Sequence, residues 1–391
     1  MLASRQLTVS PMCRDAWVEI DLARIEFNVK TIKSWFKEPQ TELMAVVKSD
    51  GYGHGAAEVG RAALAAGAGW LAVATVDEGV ELRAQECEAP ILILGPAPAR
   101  AIATAVENRL DLTLTGQADL DAASLAAKQI NRNVRVHLKI DTGMHRLGAA
   151  PDDIEALVQQ IVSRPDLELV SVFSHLAKAD QYEFTKKQND CFTAVVQNLS
   201  VRFPNLLKKQ GGPVLAHLAS GDAARHNSFT QHDMVRAGLN LYGLEARTIS
   251  DVVKPAMAIR ARINSLREID PGETVGYNMT WTAKTRSRIA SIPVGYADGI
   301  DRGLSNRMEG IIHGKRVKQA GLISMDQMLF DVTDVPESAP GDTLTLIGTD
   351  GEQSIQLADW ANMLDTITYE LACRMRVRLP RIYTHGQVVQ T

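Results

Sequence analysis

Through its first 245 residues the chain alternates short, unbroken apolar runs with longer stretches of helical periodicity. The runs are LMAVVK (43–48), WLAVAT (70–75), ILIL (91–94), LDLTL (110–114), VRVHLKI (134–140), LELVSVFSH (167–175), VLAHLAS (214–220) and RAGLNLYG (236–243). Between them lie helix-like segments such as AAEVGRAALAAG, DEGVELRAQE and DLDAASLAAKQI. The runs are short, continuous and rich in Val, Ile and Leu, as strands buried on both faces should be. Eight β-then-α units predict an α/β fold with an N-terminal (β/α)8 TIM-like barrel. A doubly wound sheet is the main rival, but no GxGxxG follows the first of these strands.

After about residue 250 the texture changes. Period-2 segments appear (AIRARINSLREI, RSRIASIPV, GKRVKQAGLIS, DTLTLIG), separated by the turn signals DPGE, HGK, APGD and GTDGE. These predict a second, mostly β domain. The expected division is 14–248 for the barrel and 249–391 for the β domain.

Composition narrows the classes. Of 391 residues, 45 % are hydrophobic and 23 % charged, which argues against a disordered chain. A net charge of −4 gives no general attraction to nucleic acid or to an anionic membrane. The start, MLASRQLTVSPMCRDAW, has no apolar secretory core, and no stretch has the apolar length of a membrane span. Cys13, Cys87, Cys191 and Cys373 are far apart and form no CxxC, so neither a disulfide framework nor a zinc site is expected, and a reducing cytoplasm fits.

In a barrel, chemistry sits where strands end at their C-terminal edge. The first such end carries Lys48, followed by SDGYGHG. A lysine there can be partly desolvated, which lowers its pKa and frees the amine to condense with an aldehyde. Taken alone, a lysine at a strand end is more often simply solvated. The surrounding string changes the balance, because AVVKSDGYGHG closely resembles the cofactor-lysine motif of alanine racemases, pyridoxal phosphate enzymes built as a barrel plus a β domain. Further matches follow in order: AWVEIDL, VATVDEGVELR, LKIDTGMHRLG, FSHLAKAD, VRAGLNLYGL, VGYNMTWTA, IPVGYADG and ISMDQ. They extend from about residue 16 to 383.

The resemblance implies racemisation of L-alanine and D-alanine by two bases, supplying D-alanine for cell-wall peptidoglycan. Lys48 would carry the cofactor and serve the D face, while Tyr277 would serve the L face. A tyrosine of ordinary pKa is a poor base at neutral pH, and His175 matches the group that assists it. Arg236 matches the arginine facing the pyridine nitrogen; the family's following proline is here Ala237. Phosphate binding would fall to Tyr52, Gly238, Leu239 and either Ser220 or Gly221, because ASGDAA departs from the commoner pattern there. Arg146 would hold the substrate carboxylate, next to Met325, with Tyr296 at the entrance. Lys139 matches a lysine often found carbamylated. Tyr277, Tyr296 and Met325 would come from a second subunit, which implies a homodimer. Val377 stands where some members have a tyrosine, a departure that could widen the pocket. Two alternatives share parts of this pattern: a relaxed or serine racemase, and a non-catalytic barrel that only carries pyridoxal phosphate. No metal is expected.

Overall fold

The computed structural model describes residues 13–245, 251–375 and 378–386. Seven of the eight apolar runs of the N-terminal half coincide with strands, β2 (Glu42–Val46), β3 (Trp70–Val73), β4 (Ile91–Ile93), β5 (Leu112–Leu114), β6 (Val134–Lys139), β7 (Leu167–Phe173) and β8 (Leu215–His217); the eighth run, 236–243, shares only Arg236 and Ala237 with β9 (Met234–Ala237) and continues into a 3-10 turn, Leu239–Tyr242. These strands are parallel to their neighbours and hydrogen-bond in the orders β4-β3-β2-β9 and β5-β6-β7-β8. Two seams join these halves. Asp111 exchanges backbone bonds with Ile91 and Ile93 at 2.8 and 3.0 Å, and Asp233 and Arg236 donate to Ala216 and Ala219 at 2.9 and 3.1 Å. The strands therefore close into the expected barrel, which leaves no open sheet edge.

The barrel interior is divided by chemistry. Met44, Val46, Ala72, Leu92, Leu215 and Met234 form an apolar cluster. Opposite lies a polar group of Asp111, His137, Ser171, His217 and Arg236, all buried. Trp70 of β3 meets His137 of β6 edge to face, ring centres 5.6 Å apart. These strands are not neighbours in either sheet, so the contact crosses the interior.

The first strand, β1 (Ala16–Asp21), does not join the barrel. It pairs antiparallel with β10 (Met257–Arg262), Ala16 opposite Ala261 and Ile20 opposite Met257, and parallel with Arg381–Thr384. The division by contacts accordingly gives one unit of Ile25–Leu241 and a second that joins residues up to Arg24 to those from Tyr242 onward. β1 falls in the second of these units, whereas the sequence pattern alone drew the barrel from residue 14. Its polar side chains are buried because the second unit supplies their partners: Trp17 Nε1 donates to Glu19 at 3.0 Å, and Arg260 Nε to the same carboxylate at 2.9 Å. The second unit is mostly β, with a ten-stranded sheet and two short helices, Leu357–Leu364 and Thr368–Arg374. Among the described residues no helix is long and apolar enough to cross a membrane.

Candidate active site

Lys48 lies just past the end of β2, two residues after Val46. The chain then makes a left-handed turn: φ is 56°, 53°, 60° and 51° at Ser49, Asp50, Gly51 and Tyr52. Each non-glycine residue in that region costs about 1 kcal/mol or more, so the turn needs external support. Glu78 provides part of it, its Oε1 accepting from Ser49 N at 2.7 Å while Oε2 accepts from Ala74 N at 2.7 Å. The same carboxylate closes a capping box with Thr75 at the start of helix Val76–Ala84. Asp50 Oδ1 accepts from Ala56 N at 3.0 Å, and Gly55, at φ 91° and ψ 102°, takes a conformation that only glycine adopts readily. Lys48 Nζ sits 5.9 Å from the centre of the Tyr52 ring. Gly238, after β9, comes so close to Tyr52 that a Cβ there would lie 3.1 Å from the phenol oxygen.

Arg236 is the third residue of β9 and is 5 % exposed. Its Nη2 donates to the carbonyls of Ser174 and Leu218 at 2.6 and 2.9 Å, and its Nη1 meets His217 Nδ1 at 2.6 Å. His175 Nδ1 lies 3.3 Å from Nη2. Since guanidinium has no acceptor, that His175 nitrogen accepts and the ring proton sits on Nε2. Nε is the Arg236 nitrogen left without a partner among the described residues. Burial lowers the Arg236 pKa to about 9.

Lys139 ends β6, buried, with Nζ 4.6 Å from the centre of the Phe173 ring. Burial, then Arg236 and Arg146, lower its pKa to about 7, against a smaller opposing pull from Asp141. His175 is held well below its ordinary pKa by burial and by Arg236, Lys139, Arg146 and Lys48, so it is a neutral donor at pH 7. One half-buried imidazole thus feels four cations that converge from the ends of β2, β6 and β9. Such a concentration of positive charge calls for anionic ligands. Arg146 itself is exposed on the loop after β6. Asp141 shapes that loop by accepting from Gly143 N and His145 N at 2.9 and 3.0 Å.

After β8, Ser220 caps the short helix Gly221–His226, its Oγ accepting from Ala223 N at 3.4 Å. A Cβ on Gly221 would lie 2.1 Å from Asn240 Oδ1, which leaves no space for a side chain at that position unless Asn240 moves. Leu239 is half-buried beside Gly238. Lys48, Tyr52, Lys139, Arg146, His175, Ser220, Gly221, Arg236, Gly238 and Leu239 thus lie at or just past the C-terminal ends of five strands and share one end of the barrel.

The other three candidates lie on the second unit and are exposed: Tyr277 by 71 %, Tyr296 by 42 % and Met325 by 53 %. Tyr277 is flanked by positive φ at Gly276, Asn278 and Met279 (75°, 60° and 52°). The Tyr296 and Met325 loops are tied together, Tyr296 N donating to Ser324 O and Ala297 N to Met325 O, both at 3.0 Å. Val377 lies outside the described residues.

Some supporting residues escaped the sequence reading. Glu78 was visible as the fourth residue of a TVDE capping box, but nothing pointed to its bond with the Lys48 turn. Gln188, buried in helix Tyr182–Arg202, donates to His175 O at 3.1 Å and accepts from Ala177 N at 2.9 Å, and no local signal marks it. His217 lies inside a run read only as a strand.

Comparison with known proteins gives a consistent result. Residues 20–246 match the family model described as alanine racemase, N-terminal domain, and residues 256–383 that of the C-terminal domain. An alanine racemase of Synechocystis is 40 % identical over 377 residues, covering 94 % of this chain and 98 % of its own. Among solved structures, the alanine racemase of E. faecalis aligns with TM-score 0.86 at 31 % identity, covering 96 % of this chain and 100 % of its own. That of Bacillus anthracis with bound L-Ala-P aligns with TM-score 0.86 at 33 % identity, covering 97 % and 98 %.

Proposed function

This chain belongs to the alanine racemase family and is a pyridoxal phosphate-dependent isomerase of alanine; from that premise we propose how its residues divide the work. The cation cluster around His175 carries the assignment, because the cofactor and the substrate both bring negative charge to the barrel end. Lys48 holds the cofactor. Arg236 would face the ring nitrogen through Nε, a donor that cannot accept a proton. Tyr52, Gly238, Leu239 and the Ser220–Gly221 turn receive the phosphate. Of that pair Gly221 offers backbone only, while the Ser220 hydroxyl already caps its helix. The chemistry that the bound cofactor contributes is stabilisation of negative charge at the substrate α-carbon.

The chain's own groups then move the proton. Lys48 exchanges it on the D face and Tyr277 of the partner subunit on the L face, because a planar carbon is reprotonated from whichever side holds an acid. Neutral His175, with its proton on Nε2, would donate a hydrogen bond to that phenol oxygen. Arg146 fixes the substrate carboxylate, with Met325 beside it and Tyr296 at the entrance, both from the partner. Lys139 as a carbamate balances Arg146; its pKa of about 7 leaves much of the amine neutral and able to add carbon dioxide at neutral pH.

A homodimer supports this reading, since three large side chains on one unit, Tyr277, Tyr296 and Met325, are exposed. We place the enzyme in the cytoplasm, supplying D-alanine for peptidoglycan. The match of residues 256–383 to the C-terminal domain removes the non-catalytic barrel as an alternative. A polarimetric assay of L-alanine and L-serine, with and without added pyridoxal phosphate, tests the substrate. Alanine should be turned over far faster, and comparable serine turnover would favour the relaxed racemase.

A further inference from the structure

The polar half of the barrel interior forms a continuous file. Arg236 Nη1 donates to His217 Nδ1, so the His217 proton must sit on Nε2. That nitrogen is 2.8 Å from Ser171 Oγ and donates to it. The Ser171 hydroxyl then directs its own hydrogen to His137 Nδ1, 2.6 Å away. His137 therefore carries its proton on Nε2, 3.1 Å from Asp111 Oδ2. Arg135 Nη2 approaches the same carboxylate oxygen at 3.5 Å. His137, Ser171 and His217 have no exposed surface, so water cannot substitute for any link. Only one arrangement of hydrogens satisfies every contact, with each proton pointing from Arg236 toward Asp111.

We propose that Ser171, His137 and Asp111 are positioning residues for the racemase reaction, locking His217 in the tautomer that accepts from Arg236 and so fixing which guanidinium nitrogen remains for the cofactor ring. The proposal rests on the reading that Arg236 faces that ring. The opposite tautomer would put two N–H groups 2.6 Å apart, and Arg236 would have to swing away. The His217 ring cannot easily turn to relieve this, because it stacks on Phe173 with centres 4.9 Å apart and planes at 5°. Burial and the Arg236 cation also keep His217 neutral, which preserves its acceptor. Buried chains of this kind are fully satisfied only as a unit, so the middle link controls both ends.

The test uses holoenzyme labelled with nitrogen-15 at histidine. In the unmodified protein His217 should show a single neutral tautomer protonated at Nε2. Ser171→Ala should abolish that single tautomer and lower kcat for L-alanine about ten-fold, the scale of lost second-layer support, with KM changed less than about two-fold. Ser171→Thr restores the hydroxyl and should recover both signals. Asp111→Asn keeps an acceptor oxygen but removes the charge, and should lower kcat less, in the same direction. It serves as the second variant if Ser171→Ala folds poorly. A His217 protonated at Nδ1, or Ser171→Ala with kcat unchanged and cofactor bound, would overturn the proposal. Unchanged kcat in Asp111→Asn alone would remove Asp111 from it. Failure of the underlying reading looks different: Arg236→Gln would then leave the visible absorption of the bound cofactor unaltered, whatever the His217 tautomer.

Discussion

At the scale of single residues, the two bases and the buried lysine make separable predictions. L-alanine and D-alanine have equal free energy in water, so any variant must slow both directions together. The half-reactions need not match. In deuterated water Tyr277→Phe should exchange the α-hydrogen of D-alanine faster than it forms L-alanine, because Lys48 still serves that face. Exchange on L-alanine should be slow. Equal loss from both enantiomers, with cofactor bound and turnover measurable, would favour one base acting through Lys48. Lys139 predicts a stability signature. Its folded pKa is about 7 against an ordinary 10.5, so between those values the unfolded chain binds more protons and wild-type stability rises with pH. The advantage of Lys139→Met over wild type in urea melts should thus be greatest below pH about 7 and fade toward 10.5. Carbon dioxide, supplied as bicarbonate, adds to the neutral amine to give a carbamate, forming a C–N bond and releasing one proton. It should stabilise the wild type above pH 7 and leave Lys139→Met unmoved; no response in the wild type would discard the carbamate.

At the scale of elements, the turn after Lys48 gathers three non-glycine residues at positive φ, Ser49, Asp50 and Tyr52. Gly51→Ala adds another side chain in the left-handed region and should cost about 1 kcal/mol in unfolding free energy. Ser49→Gly relieves a similar amount, offset by the entropy of a freer unfolded chain, so its melting temperature should stay near the wild type. A large loss in Ser49→Gly would show that the hydroxyl, and not only the backbone, holds the turn. Most of the barrel strands were legible because their runs are short, continuous and rich in Val, Ile and Leu, as strands buried on both faces are. The glycines of SDGYGHG announced a tight turn. They did not show that Ser49, Asp50 and Tyr52 would share its handedness, since those residues ordinarily avoid positive φ. His137 and Ser171 read as polar interruptions in VRVHLKI and LELVSVFSH, and only strand register puts them side by side.

At the scale of the whole molecule, the proposed shared site predicts complementation. Lys48→Ala and Tyr277→Phe chains, each nearly inactive alone, should regain activity on subunit exchange, because a mixed dimer has one site with both groups intact. Random pairing would give about a quarter of wild-type activity per subunit. No recovery despite demonstrated exchange would place both groups in one chain. The β1 strand has a different consequence, for the order in which the molecule can be made. It is synthesised first, yet its partners are Met257–Arg262 and Arg381–Thr384, with the whole barrel translated in between. The barrel can close on the ribosome once residue 241 has emerged, because its contacts lie within one continuous segment. The second sheet cannot: β1 lies between those two partners and must wait for the last of them. Nascent chains stalled ahead of residue 381 should therefore show a protease-resistant barrel trailing a cleavable N-terminal strand, and full protection should need the residues through Thr384 to have emerged.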